Sequence, residues 1–231
     1  MKNSNKPNKL IIWDFDGVIA DSEHLWVKNW VEALHNLKHI DLDDKQTEYY
    51  IRGKADKTKE DLLQKDYPDL TFDNEFLQTL KANEIRLIAS ELFITPDVEN
   101  IFKDNNFTHC IATGATAEKN ALKIRQLGLE KYFTEQNMFT AYDVKHGKPA
   151  PDLFLYAAAQ MGYSPQNSVI IEDSLAGICA GCAAGIPVIA YIGATGNNSA
   201  EYAECCRAEG AEYVVDTMPK VYDILQKFFY I

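Results

Sequence analysis

The chain has 231 residues, 46% of them hydrophobic and 25% charged, with a formal net charge of −11; that length suits one sizeable core plus a smaller satellite domain. Such acidity argues against nucleic acid or an anionic membrane surface as the main partner. Nothing approaches the ~20 apolar residues of a membrane span, and the apolar run after Lys2, Lys6 and Lys9 is too short for a signal peptide.

Leu10-Ile11-Ile12-Trp13 has the pattern of a buried strand, and it ends in Asp14 and Asp16. Period-two alternation would send both carboxylates off the same side, and Gly17 then permits a sharp change of direction. Two like charges this close do not both ionise freely unless a cation holds one of them. The pair therefore points to a divalent metal on one carboxylate and a proton available to the other. From residue 22 to 38, Leu25, Trp26, Trp30, Ala33, Leu34 and Leu37 recur at helical spacing. Ser22 is placed to cap this helix, with Asp21 near the positive end of its dipole, and Trp26 and Trp30 are expected in the core. Between 41 and 91, charge clusters replace buried strands. Helical patterning returns over 58–65 and 74–88, where Phe76, Leu77, Leu80 and Leu87 line up. The pattern predicts a small all-helical domain over 21–91, inserted into a second domain made of 1–20 and 92–231.

That second domain alternates strand and helix. Strands are predicted over 109–113, 137–140, 168–172, 187–192 and 212–216. Helices are predicted over 116–127, over 151–161 behind Pro151, from a Ser174 cap to near Gly185, over 199–209, and over 218–229 as a closing amphipathic helix. The alternation specifies a Rossmann-like three-layer α/β core, a parallel sheet with helices on both faces. Ligands bind such sheets at the carboxyl ends of the strands. Asp14, Thr113, Lys148 in the Gly147-Lys148-Pro149 loop, and Glu172-Asp173 all come to that edge. Cys110, Cys179, Cys182, Cys205 and Cys206 are an odd number in a chain this large. They suggest no disulfide scaffold, are assigned no catalytic role, and make the cytoplasm the expected location. Cys205 and Cys206 cannot both face the core.

Four stretches taken together, Asp14-Phe15-Asp16-Gly17-Val18, Thr113 after an apolar strand, Lys148 before Pro149-Ala150-Pro151-Asp152, and Glu172-Asp173-Ser174 followed by Ala176-Gly177-Ile178, resemble in order and spacing the motifs of the haloacid dehalogenase superfamily. The helical insert resembles that family's small cap, as in its β-phosphoglucomutase-like and sugar-phosphatase group. The resemblance implies that Asp14 is a nucleophile forming an aspartyl-phosphate and that Asp16 is the acid, then the base. It implies phosphate contacts from Thr113, Gly114 and Lys148. It implies Mg²⁺ held by Asp14, the backbone carbonyl of Asp16, and Glu172 or Asp173 or both. The metal and Lys148 would then supply the local positive charge that an acidic protein needs to hold an anion.

Asp16 also sorts the subclasses, because the family's dehalogenases and P-type ATPases lack this second aspartate. Between a phosphatase and a β-phosphoglucomutase-type mutase, the residues favour the phosphatase: the mutases' early cap histidine falls on Trp26, and their arginine after the cap glycine falls on Asp56. The expected partner is a small phosphomonoester, a phosphosugar or sugar-acid phosphate, met by a monomer or weak homo-oligomer. Arg52, Lys54 and Lys57 either read the rest of that substrate or solvate a helix end. His24 either reaches the cleft or sits on the surface. A phospho-metabolite-binding protein without turnover is a further reading, against which the joint presence of a nucleophile and an acid argues.

Overall fold

The computed structural model describes residues 9–54, 56–194 and 197–229. Two compact units emerge, Met1–Asp21 with Phe93–Ile231, and Ser22–Leu92. In chain order, the first unit begins with strands β1 (Leu10–Trp13) and β2 (Ala20–Asp21). The second unit carries helices α1 (Glu23–Lys38), α2 (Asp44–Tyr50), α3 (Asp56–Asp66) and α4 (Asn74–Glu91). The first unit then resumes with β3 (Phe93–Ile94), α5 (Val98–Phe102), β4 (Thr108–Thr113), α6 (Ala117–Gln126), β5 (Met138–Thr140), α7 (Asp152–Met161), β6 (Ser168–Glu172), α8 (Leu175–Ala183), β7 (Val188–Tyr191), α9 (Ala200–Ala208), β8 (Tyr213–Val215) and α10 (Met218–Phe229).

The main sheet has the order β5-β4-β1-β6-β7-β8, and every neighbouring pair is parallel. All four residues of β1 are fully buried, which is why this strand is apolar throughout rather than alternating. From β1 the chain first moves outward to β4 and β5, then returns to build β6, β7 and β8 on the other side. Crossovers between parallel strands are right-handed, so helices that follow opposite moves cover opposite faces. On one face, Leu10, Ile12, Cys110 and Ala112 pack with Phe154 of α7, Ile178 of α8 and Ala203 of α9. The α6 helix, which follows the outward move, belongs to the other face. Trp13 also faces that way and meets Phe102 of α5 edge-on at 5.2 Å.

β2 and β3 form a separate antiparallel ribbon, pairing Ala20 with Ile94 and Asp21 with Phe93. Neither was evident in the sequence, and a strand of two residues leaves no periodicity to find.

The helical unit closes on its own core. Trp30 packs edge-on against Phe72 and Phe76 at 5.7 and 5.5 Å and donates its indole N–H to Asp56. Several local expectations need correction. Trp26 is only half-buried, and Leu77 is 50% exposed while Phe76, Leu87 and Ile88 carry the buried face of α4. Ser22 occupies the cap position of α1 without a side-chain capping bond. The α2 helix lies in the charged stretch where no helix was expected. Its start is fixed by Asp43 and Gln46, whose side chains each bond the other's backbone N–H. Among the described residues no helix is long and apolar enough to cross a membrane. All five cysteines are free thiols, Cys206 buried and its neighbour Cys205 exposed.

Candidate active site

Sheet order decides where chemistry can gather. β1 lies between β4 and β6, where the winding of the chain reverses, and such a switch point opens a crevice at the carboxyl ends of the strands. Asp14 follows β1, Thr113 ends β4 and Glu172 ends β6. The Asp14 N–H still donates to the Ile171 carbonyl at 2.9 Å, which ties the residue to the end of β6.

Lys148 is the hub. Its Nζ donates to Asp14 Oδ1 at 2.5 Å and to Glu172 Oε1 at 2.6 Å. The other oxygen of Glu172 accepts the Ser174 N–H at 2.6 Å. Ser174 in turn caps α8 by accepting the Gly177 N–H, so one turn of chain closes the end of β6 and starts the next helix. Asp173 is held from a different side: Asn197 Nδ2 donates to its Oδ2 at 3.0 Å, and the Tyr202 hydroxyl donates to its carbonyl at 2.8 Å.

Two glycines make room for these carboxylates. Gly17 has φ +83°, and a Cβ there would stand 2.0 Å from Asp173 Oδ2. At Gly177 a Cβ would stand 1.8 Å from Glu172 Oε1. Gly17 is thus required twice, by backbone conformation and by space. Thr113 is buried, and its hydroxyl accepts the Ala115 N–H at 3.3 Å, closing the turn after β4. A Cβ on Gly114, in that turn, would meet nothing within 4 Å.

Asp16 has a different partner. Its carboxylate is gripped through both oxygens by Lys123 of α6, at 2.7 and 2.6 Å. Its charge still acts on Asp14 and Asp173, raising both carboxyls, so Asp16 has its own lysine yet stays within electrostatic reach of the carboxylates around Lys148. The strand ends at Trp13 and the backbone turns through residues 15–19, so period-two alternation does not by itself place residue 16.

Electrostatically the site carries an excess of negative charge. Burial pushes the Asp14 carboxyl up to about 7, against the pull of Lys148 and with a further push from Glu172. Burial likewise raises Asp173 well above its ordinary value, with Glu172 and Asp14 adding to the effect. Burial would lower the Lys148 ammonium, but Asp14 and Glu172 outweigh it and hold it above its usual value. Two buried carboxylates, Asp14 and Glu172, and the half-buried Asp173 near one ammonium are the donor chemistry of a hard divalent cation, which would offset the surplus. Among the described residues no three His, Cys, Asp or Glu side chains form a metal-holding group by themselves. Asp14 and Asp173 offer the one or two carboxylates that an ion such as Mg²⁺ takes while keeping several waters. Glu172, with both oxygens already engaged, is better placed to hold Lys148 than to ligate.

The cations predicted near the insert lie in the helical unit. Arg52 pairs with Glu48 at 3.0 Å, Lys54 donates to the carbonyls of Glu48 and Arg52, and Lys57 pairs with Asp61 at 2.7 Å. His24 Nε2 lies 3.2 Å from the Glu91 carbonyl. Sequence reasoning missed Lys123, Asn197 and Tyr202. For Lys123 a signal existed, since it falls three residues after Asn120, on the inward side of α6 with Ile124.

Residues 11–191 match the family model for haloacid dehalogenase-like hydrolases. A fructose-1-phosphate phosphatase from Escherichia coli (strain K12) is 30% identical over 183 residues, covering 78% of this chain and 94% of that protein. A β-phosphoglucomutase from Bacillus subtilis (strain 168) is 28% identical over 187 residues, covering 77% and 80%. Among solved structures, a conserved haloacid dehalogenase-like protein from Agrobacterium tumefaciens str. C58 superposes with a TM-score of 0.80 at 25% identity, covering 95% of this chain and 98% of that one.

Proposed function

Because the chain belongs to the haloacid dehalogenase-like hydrolases, with sugar phosphatases and phosphomutases as relatives at modest identity, we propose that it hydrolyses a small phosphomonoester, a phosphosugar or sugar-acid phosphate, through a phosphorylated Asp14. The observation that carries this reading is the buried Asp14 carboxylate held at 2.5 Å by a lysine that Glu172 anchors in turn.

Asp14 attacks phosphorus in line as the bond to the leaving oxygen breaks, and Asp16 gives that oxygen a proton. Water then attacks the aspartyl-phosphate. Its proton passes to Asp16, the bond between phosphorus and Asp14 breaks, and inorganic phosphate leaves. Lys148 orients Asp14 and neutralises charge on the transferring group. Thr113 offers its hydroxyl, and Gly114 its N–H, to phosphate oxygens. Mg²⁺ would be held by Asp14, Asp173 and the backbone carbonyl of Asp16, and would supply Lewis-acid polarisation of the phosphoryl oxygens. Arg52, Lys54 and Lys57 stay in the proposal as substrate-reading residues. Free thiols suit a reducing compartment, and we read the protein as cytoplasmic, monomeric or weakly self-associating.

The test is release of inorganic phosphate from p-nitrophenyl phosphate and from a panel of sugar phosphates, with Mg²⁺ and after chelation. Mg²⁺-dependent release, lost in Asp14→Asn, is expected; no release by the intact protein would leave the binding-protein reading in place. The mutase reading is tested with β-glucose 1-phosphate and a trace of the bisphosphate. Glucose 6-phosphate formed without phosphate release would replace the hydrolase with a mutase.

A further inference from the structure

Lys123 has no role in the chemistry described so far, yet its surroundings are unusual. The side chain is completely buried. Its ammonium contacts both oxygens of Asp16, at 2.7 and 2.6 Å, and stands 5.1 Å from the centre of the Phe15 ring. A lysine is almost never fully buried unless paired, and an apolar residue would fill this helix position at lower desolvation cost. Asp16, by contrast, sits on a turn with its side chain 29% exposed. A short carboxylate on a turn samples several rotamers, whereas a proton donor must lie within hydrogen-bond reach of the leaving oxygen.

We infer that Lys123 is a positioning residue for the acid–base step: from α6, it clamps both oxygens of Asp16 and fixes the orientation in which that carboxyl meets the leaving group. The inference rests on the assignment of Asp16 as acid and base. It gives each aspartate its own buried lysine, Lys148 for the nucleophile and Lys123 for the proton carrier. Lys123 itself touches neither substrate nor phosphorus.

The experiment is a double-mutant cycle read on two probes of similar shape, p-nitrophenyl phosphate, whose leaving group needs little protonation, and phenyl phosphate, whose leaving group needs more. Variants are Lys123→Met, Asp16→Asn and the double variant, each checked for folding by thermal melting, with Lys123→Gln taking over if Met does not fold. Lys123→Met is expected to lower kcat on phenyl phosphate by about 10²-fold, the scale of general acid catalysis, and on p-nitrophenyl phosphate by less than about tenfold, with KM nearly unchanged on both. The double variant should be no slower than Asp16→Asn alone, since groups that act as a unit are not additive. Equal losses on both probes, or losses that multiply in the double variant, would overturn the inference and leave Lys123 with a packing role. If Asp16→Asn itself fails to separate the two probes, the acid–base assignment falls, and the positioning role with it. If Asp16→Asn separates them and Lys123→Met does not, only the role of Lys123 falls.

Discussion

In the sheet unit Lys148 reaches across 134 residues of chain to meet Asp14 and across 24 to meet Glu172. In the helical unit Lys57 and Arg52 each reach four residues, to Asp61 and Glu48. The first contacts exist only once β1 and β6 lie side by side and the loop after β5 has been brought to their ends. The second need no more than one turn of local structure. Burial follows the same division: the Lys148 side chain is 11% exposed and that of Lys57 75%. A pair that only the complete fold can assemble, and that excludes water, is where chemistry and stability are tied together. A pair spaced one turn apart on the surface reports little beyond its own spacing, and typically contributes ~0.2–1 kcal/mol.

The contrast can be broken by substitution. Asp14→Asn preserves the shape of the site and should lower kcat for phosphate release by more than about 10⁴-fold, the scale seen when a nucleophile is removed, while the fold survives thermal melting. A variant that kept native turnover would end the proposed mechanism. Lys148→Met leaves two carboxylates buried without their cation and should cost roughly 3–5 kcal/mol in urea unfolding. If it costs no more than a surface pair does, the division drawn here is false.

His109 sharpens the comparison with a half-buried ionisable group that has no ion-pair partner among the described residues. Its Nδ1 accepts the Trp13 indole N–H at 3.2 Å, and its Nε2 is buried without a hydrogen-bond partner. Burial lowers the imidazole to about 4, with Asp104 pulling it partly back. Below about pH 6.5 the unfolded chain takes up a proton that the folded protein refuses until about pH 4. Stability should therefore fall as the pH drops through that window, by roughly 3 kcal/mol from this residue, and level off beneath it. Urea midpoints against pH for wild type and His109→Gln measure the effect; identical slopes would assign the loss to other groups. The smallest effect is expected at Lys57→Met, a urea midpoint close to that of the wild type with any difference vanishing at high salt, so any change in kcat/KM in that variant reports substrate reading rather than folding.

Much of the sheet unit was legible because its information is contiguous. β1 and β6 are unbroken apolar runs ending in carboxylates, and Ser174 and Pro151 mark the starts of α8 and α7. The Lys148 hub was legible because strand ends on neighbouring strands must share an edge. Lys123 was only half legible: its spacing from Asn120 and Ile124 is that of the inward side of α6, but a lysine on a helix is solvated by default, and only the turn at residues 15–19 brings Asp16 to it. The same turn lies beyond the strand, so alternation alone does not place Asp16. In the helical unit Leu77 fell within an apparent apolar stripe, but the buried face of α4 runs through Phe76, Leu87 and Ile88 instead. The capping pair Asp43 and Gln46 was the one mark of α2 in a stretch too polar to show a period.

The β2–β3 ribbon has a consequence of its own. Asp21 and Phe93 face each other as paired residues of adjacent antiparallel strands, where Cα atoms stand roughly 4.5–5.5 Å apart. The whole of Ser22–Leu92 thus departs from and rejoins the scaffold at practically one point, like a cassette on a clip. A two-residue hairpin turn of the Asn-Gly kind would bridge that gap, which makes the segment one that can be excised, or exchanged for a foreign one, without rethreading a single strand of the sheet.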